Sequence, residues 1–341
     1  MGHSRLGYFS AVGLALGAWL VFPGLLAPQT APPLNEQYKD AASRIIAAAL
    51  SDQDGYAKLT YLCERIGNRL SGSTGLEKAI EWASAQMKKD GLDNVVTPPA
   101  KVPHWVRGKE SAKIVAPVER PLKMLGLGGS VGTPPEGITA EVVSVSGFDE
   151  LERLGKEKVA GKIVVYNVPW EGYGRTVQYR GSGASRAAAL GAVAMLMRSA
   201  GPPPLEMPHT GGLRYSDDAP RIPAAALALE DVAAIQKLVD SGEKVKIHLS
   251  MEAQTLPDAD SANVIGEIRG REKPEEIVVI GGHLDSWDVG QGAHDDGGGA
   301  MASWQALEVI VRGLRPDHAG RGGRSSARPR PGPGEANRTA A

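Results

Sequence analysis

The chain has 341 residues, 42% of them hydrophobic and 23% charged, with a formal net charge of -1. That length allows about two domains, and the mixture is globular rather than disordered or fibrous. The charge balance gives no electrostatic footprint for nucleic acid or an anionic surface, and a lone cysteine, Cys63, excludes an intrachain disulfide and a thiolate-built zinc cluster.

At the start, Arg5 precedes an apolar run from Ala11 to Ala27 that Pro23 interrupts. A basic start followed by a short apolar stretch is the pattern of an export signal, and the run is slightly short for a bilayer span of roughly 20 residues. Ala27 and Ala31, the small residues that would mark cleavage, are each followed by proline. Residues 1–31 are therefore expected to be a signal peptide or an uncleaved N-terminal anchor. The rest is expected in the periplasm or outside the cell, touching a membrane only through that segment.

Ser73 is placed to cap a helix carrying Leu76, Ala79, Ile80, Ala83 and Met87 at helical spacing, with Gly91 after the basic Lys88 and Lys89. His104 and Trp105 read as a loop after Pro103 that packs at the surface. Cys63 reads as a small buried apolar residue. From about Pro121 to Glu252 the pattern alternates. Gly161–Val168 is a β-type run, Ser185–Met197 reads as helix running into strand, and Ile222–Asp240 reads as short strand, acidic helix start, then helix. Such alternation predicts an α/β layer. His209, in the loop MPHTGG, reads as solvated or as part of a domain or subunit contact.

NVIGEIRG (263–270) and EIVVIGGHLDS (276–286) are predicted to be two strands, the second buried on both faces because its apolar run is continuous. It leads into His283-Leu-Asp285-Ser-Trp-Asp288 and then His294-Asp295-Asp296-Gly-Gly-Gly299, ahead of an amphipathic helix from Gly298 to Arg312. Imidazole and carboxylate are suitable zinc ligands. Asp285, two residues from His283, is placed to hold the ring's other N–H and fix its tautomer. Asp295 lies on a glycine-rich turn, where a carboxylate has two oxygens for two metals. Taken one at a time, these residues also suit ordinary turns and a helix cap; the constellation beyond a strand points to metal.

The run GGHLDSWDVGQGAHDDGGGAMASWQAL resembles the co-catalytic zinc exopeptidases of the aminopeptidase type. ERIGNRLSGSTGLEKAIEWASAQM resembles the same family's opening, and residues 121–252 resemble its inserted protease-associated domain. The resemblance implies a mixed-sheet α/β sandwich with two zinc ions and a small peptide or dipeptide as substrate; it also allows a homodimer. It implies that His283 ligates one zinc, that Asp295 bridges both, and that Asp285 is the acidic catalytic-site residue orienting His283. It further implies a cis Asp295–Asp296 peptide. His294 is expected to point away from the site. The expected domains are residues 36–120 and 253–314 for the peptidase part, with 121–252 inserted.

The family also uses an adjacent Glu-Glu pair some thirty residues beyond the bridging Asp, one Glu as base and one as ligand, followed by a later Asp and His. Here that place reads SSARPRPGPG. Residues 315–341 carry six arginines against Asp317 and Glu335 and no Val, Ile, Leu, Met, Phe, Tyr or Trp. This tail is expected to be disordered and to be the product of a GC-rich gene read out of register. The expectation is an exported zinc metallopeptidase lineage whose catalytic half is incomplete here. The alternative is a non-catalytic binding protein that uses the inserted domain.

Overall fold

The computed structural model describes residues 33–203 and 206–314. The expected export segment and the arginine-rich tail lie outside the described residues. Among the described residues no helix is long and apolar enough to cross a membrane.

The described residues begin with three helices, α1 (Leu34–Gln37), α2 (Lys39–Ser51) and α3 (Asp54–Tyr61), and a π-helical turn, Leu62–Ile66, which buries Leu62 and Cys63. Helix α4 (Thr74–Lys89) starts where its cap predicts: the Ser73 hydroxyl accepts from the Leu76 amide at 3.3 Å. Its apolar face packs Ala79 and Ala83 against Leu62, Met301 and Trp304. Trp82 stacks on Tyr61 and tilts against Trp304.

Strand β1 (Asp93–Val96) is followed by β2 (Pro99–Val106). The chain then builds an eight-stranded sheet before returning. Its elements are β3 (Glu110–Ala116), β4 (Arg120–Leu122), β5 (Met124–Gly126), β6 (Ile138–Val145), α5 (Phe148–Val159), β7 (Ile163–Tyr166), α6 (Tyr173–Ala189), β8 (Ala194–Arg198), β9 (Ala224–Leu227), α7 (Leu229–Asp240) and β10 (Lys246–Met251). The strand order is β4-β3-β10-β6-β7-β8-β9-β5. The central strands β6 to β9 run parallel, with α5 carrying the chain back between β6 and β7 and α6 between β7 and β8, and the outer strands are antiparallel.

Side chains alternate across this sheet. Ile163 and Val165 face one core with Leu196, Ile247, Leu249 and the α7 residues Val232 and Ile235. Val164 and Tyr166 face the other, with Met195, Leu151 of α5 and Ala184 and Ala187 of α6. All four residues of β7 are fully buried, as a strand covered on both faces must be. The helices and strands predicted within 161–240 therefore form as the sequence pattern indicates. Strand β3, ahead of Pro121, also joins, filling the place between β4 and β10.

After β10, β11 (Gln254–Ala262) pairs antiparallel with β2, so residues 110–251 leave and return through one two-stranded ribbon. Strand β12 (Ile265–Glu267) pairs with β1. A second π-helical turn, Ala293–Gly297, leads into α8 (Gly298–Leu314), which packs on α2 and α3 and places Met301 and Trp304 in the core with α4.

Two expectations are corrected. Residues 276–286 are not a strand buried on both faces. They run without strand pairing among the described residues, and Ile277, Val278 and Val279 are 82%, 89% and 85% exposed. An extended segment acquires burial only from neighbours in a sheet, and here β12 takes β1 as partner while the large sheet lies elsewhere. His104 and Trp105 are not in a loop but in β2, opposite Leu256 and Thr255 of β11. Strand alternation turns Trp105 inward, where its indole N–H donates to the Ser130 carbonyl at 2.9 Å.

Candidate metal centre

The segment from His283 to Gly292 is irregular, so its shape must come from contacts outside itself. Arg69, on the link between the first π-helical turn and α4, supplies most of them. It is fully buried, and its guanidinium donates only to backbone carbonyls. Nε reaches Leu284 at 2.6 Å, Nη1 reaches Gln291 at 2.8 Å and Gly67, and Nη2 reaches Gly292 at 3.1 Å. The Arg69 backbone adds a reciprocal pair with Ser286: its amide donates to the Ser286 hydroxyl, and its carbonyl accepts from the Ser286 amide. Burial pushes the guanidinium below its ordinary pKa, with nearby Cys63 and Asp285 acting against that.

The sheet unit holds the other side of the loop. Asp288 receives both Nε and Nη2 of Arg107, at 2.7 and 2.8 Å, a two-point carboxylate contact. Arg107 also lies over the Trp105 ring. Trp287 lies flush on Gly128, where an added Cβ would be 2.0 Å from the indole. Gly292 takes the left-handed conformation at φ +58, and a Cβ there would collide with Ser286 and Arg69. Any other residue would therefore disturb the turn that returns the chain to Asp295.

Within this frame the predicted residues converge. His283 Nε2 lies 3.0 Å from Asp295 Oδ1. His283 Nδ1 lies 2.9 Å from the Asp285 carbonyl and 3.3 Å from Asp285 Oδ1. A carbonyl only accepts, so Nδ1 carries the hydrogen and Nε2 presents its lone pair in the neutral ring. The imidazole is held by the Asp285 main chain first and by its carboxylate second, a distinction that spacing alone does not show. The Asp295–Asp296 peptide is cis. Asp296 turns inward, accepting from the His283 amide at 3.2 Å. Gly282 and Gly299 stand against its carboxylate, and a Cβ at either would lie within 2.4 Å of an Asp296 oxygen. This crowding accounts for glycine on both sides of the motif. His294 is exposed on the turn and His283 pairs with Asp295, not with it.

Burial pulls the His283 imidazole down. The hydrogen bond to Asp285 and the charges of Asp285, Asp295 and Asp296 push it up, and the net shift is upward. The donor set suits a zinc ion in kind and in aim. Two ligands at roughly 2.0–2.2 Å from a tetrahedral zinc stand roughly 3.4 Å apart, close to the separation found here. In number the set is incomplete: among the described residues no three His, Cys, Asp or Glu side chains are grouped to hold a metal.

His209 lies in the loop that ends at Gly212, beside Tyr173. Its imidazole is pushed down by burial and by the Arg180 guanidinium, and the carboxylate of Asp295 acts on it in the opposite sense. Arg69, Arg107 and Asp288 were not singled out by the sequence reading. A charged residue in a Gly/Asn-rich stretch such as GNRLSG is the only local hint, and it does not say where the charge goes.

Residues 263–319 match the model of peptidase family M28, and the chain belongs to that family. It is 50% identical over 283 residues to carboxypeptidase Q of Xenopus laevis, covering 82% of this chain and 60% of that protein. Among solved structures, a peptidase M28 precursor from Shewanella amazonensis aligns with a TM-score of 0.78 at 35% identity, covering 81% of this chain and 64% of that one. A zinc aminopeptidase from Bacillus subtilis aligns with a TM-score of 0.55 at 21% identity, covering 76% and 57%, which is a likeness of fold. The chain thus spans about 60% of the length of curated relatives it matches.

Proposed function

We propose that this chain carries part of the catalytic centre of an exported zinc metallo-exopeptidase that hydrolyses dipeptides and other small peptides. The observation that carries the reading is the meeting of His283 Nε2 and Asp295 Oδ1 at 3.0 Å, with the other ring nitrogen already committed to Asp285. Family membership and the likeness to carboxypeptidase Q support it. Residues 110–251, which leave and return through the β2–β11 ribbon, are read as the protease-associated insertion. The run Ala11–Ala27 is read as the export signal. A homodimer is the assembly we expect.

Zinc, when bound, supplies Lewis acidity toward a water molecule and the scissile carbonyl. His283 and Asp295 would hold it, Asp295 through either or both oxygens. Asp285 keeps the proton on Nδ1 and so keeps Nε2 free. Asp296 fixes the His283 backbone through its amide. Arg69 keeps the intervening loop from collapsing into the site.

The sequence after Asp295 contains no adjacent Glu pair, so the carboxylate that would take the water's proton has no counterpart here. We therefore propose that this 341-residue chain binds zinc weakly and does not turn over peptides by itself. Incubating the zinc-loaded chain with a panel of dipeptides tests this, and no release of amino acids is expected. Turnover that is lost in His283→Ala would overturn the claim of incompleteness while upholding the assignment of His283.

A further inference from the structure

The apolar run Ile277–Ile280 has no partner strand among the described residues, and its amides and carbonyls make no hydrogen bond there. Just beyond it, one side of the chain is already taken. The Ser303 hydroxyl of α8 donates to the Gly281 carbonyl at 3.3 Å, and the His283 amide donates to Asp296 at 3.2 Å. In an extended chain the amide and carbonyl of one residue point to one side, and those of the next residue to the other. Ile277, Val279, Gly281 and His283 thus turn theirs toward α8 and Asp296, while Val278, Ile280 and Gly282 present theirs to an open edge. Such an edge is a template for another chain. With only this side free, two identical edges close on each other about a two-fold axis and do not extend into a fibre.

Charge selects the register. Three antiparallel registers bring the open groups of two such edges together. Pairing Val278 with Val278 sets Lys273 level with His283, a cation against a site for a cation. Pairing Ile280 with Ile280 sets Glu275 level with Asp285, and like charges placed opposite are destabilising. Pairing Val278 with Ile280 puts the axis at Val279, sets Glu276 opposite Gly282 and brings Glu275 level with His283. Glu275 is exposed, in the turn that the Glu276 amide closes on the Lys273 carbonyl at 3.1 Å. His283 and Asp295 are 52% and 76% exposed, open to a carboxylate from outside the chain.

We propose that two copies of this chain pair antiparallel through residues 276–282, and that Glu275 of each copy enters the His283–Asp295 site of the other as a further zinc ligand. Two protein ligands fall short of the three or four that hold zinc, and a two-stranded ribbon is marginal by itself. Pairing and zinc binding are therefore coupled, each strengthening the other. The interface stands on the open edge alone; the shared ligand rests on the metallopeptidase reading of His283 and Asp295 and deepens it.

Sedimentation velocity of the full 341-residue chain over a concentration series, with zinc chloride or with EDTA, tests both parts. A monomer–dimer equilibrium is expected, tightened by zinc on the order of tenfold or more. Glu275→Ala should remove the zinc increment and keep the zinc-free equilibrium. Val279→Lys, at an exposed position, should give a folded monomer, because it sets two lysines against each other at the axis. Val279→Cys reads the register: opposite residues at the axis are close enough for a disulfide, so mild oxidation should cross-link it, whereas Val278→Cys should not cross-link. Mixing Glu275→Ala with His283→Ala should restore one tight zinc site that neither variant has alone. A monomer under all conditions, a dimer indifferent to Val279→Lys, or growth beyond the dimer would overturn the pairing. A zinc increment that survives Glu275→Ala would overturn the shared ligand. The two readings fail differently. Cross-linking of Val279→Cys with zinc affinity unchanged by His283→Ala keeps the interface and removes the metal reading, and the shared ligand with it. Zinc binding that needs His283 but is equal at every chain concentration keeps the metal reading and removes this one.

Discussion

Arg69 Nε donates to the carbonyl of Leu284 at 2.6 Å, joining residues 215 positions apart, and Leu284 is the residue between His283 and Asp285. The contact explains how an irregular, glycine-rich loop keeps the imidazole aimed at Asp295. The proposed metal site is shaped by a cation whose guanidinium reaches only backbone carbonyls. Four carbonyls from three stretches of chain converge on one planar group, which a single aliphatic ammonium cannot reproduce.

Arg69→Met is expected to destabilise the chain by about 3 kcal/mol or more, because carbonyls that lose their donor stay buried at a cost of about 1–3 kcal/mol each. Arg69→Lys should recover only part of that. Urea denaturation of the three proteins checks the order. A variant whose midpoint matches the parent would show that water fills the gap and that Arg69 is dispensable.

His283 should titrate above the ordinary histidine value of roughly 6.5, since its partial burial is outweighed by the hydrogen bond to the Asp285 carbonyl together with the charges of Asp285, Asp295 and Asp296. The sign follows from linkage. A raised folded-state value stabilises the metal-free fold below about pH 6.5, and that contribution is lost as pH rises through the folded pKa. Metal binding runs the opposite way, weakening as protons occupy Nε2 at low pH. An NMR titration of the metal-free chain reads the pKa directly; a value below 6.5 would contradict the arrangement.

A second titrating group lies away from the site. Burial pushes the Glu308 carboxyl up to about 7, the adjacent Asp90 adds to this, and Lys58 acts against it. Lys58, Glu308 and Asp90 form a buried cluster between α3, α4 and α8, with the Lys58 ammonium over Trp304. The unfolded chain releases the Glu308 proton near pH 4.3, whereas the folded chain keeps it until near 7. Its contribution to stability therefore falls as pH rises across that window. Glu308→Gln should shrink the difference in thermal midpoint between pH 5 and pH 8. An unchanged difference would place the pH dependence elsewhere.

How much of this was legible in the sequence depends on how local each signal is. The α4 cap at Ser73, the all-buried Ile163–Tyr166 and the strand–helix step at Ala224–Asp240 are set by neighbours in sequence, and they appear as read. The run 283 to 299 is compact enough for the meeting of His283, Asp285 and Asp295 to be expected from spacing. Arg69 was not legible, because its partners are set by the tertiary path. The run Ile277–Ile280 misled for a related reason: apolarity states what a strand would bury, not whether other strands are beside it. At Trp105, Pro103 suggested a loop, but an edge ribbon tolerates proline, and pairing with β11 sets the alternation that buries the indole.

Joint ligation of zinc by His283 and Asp295 is read by zinc K-edge absorption on the chain loaded at one equivalent, compared with His283→Ala and Asp295→Ala. Imidazole scattering at roughly 2.0–2.1 Å is expected in the parent and in Asp295→Ala and should be lost in His283→Ala. Zinc affinity should fall by more than the roughly 10–100-fold that loss of an outer partner costs in each variant. An unchanged spectrum and affinity in His283→Ala would contradict it.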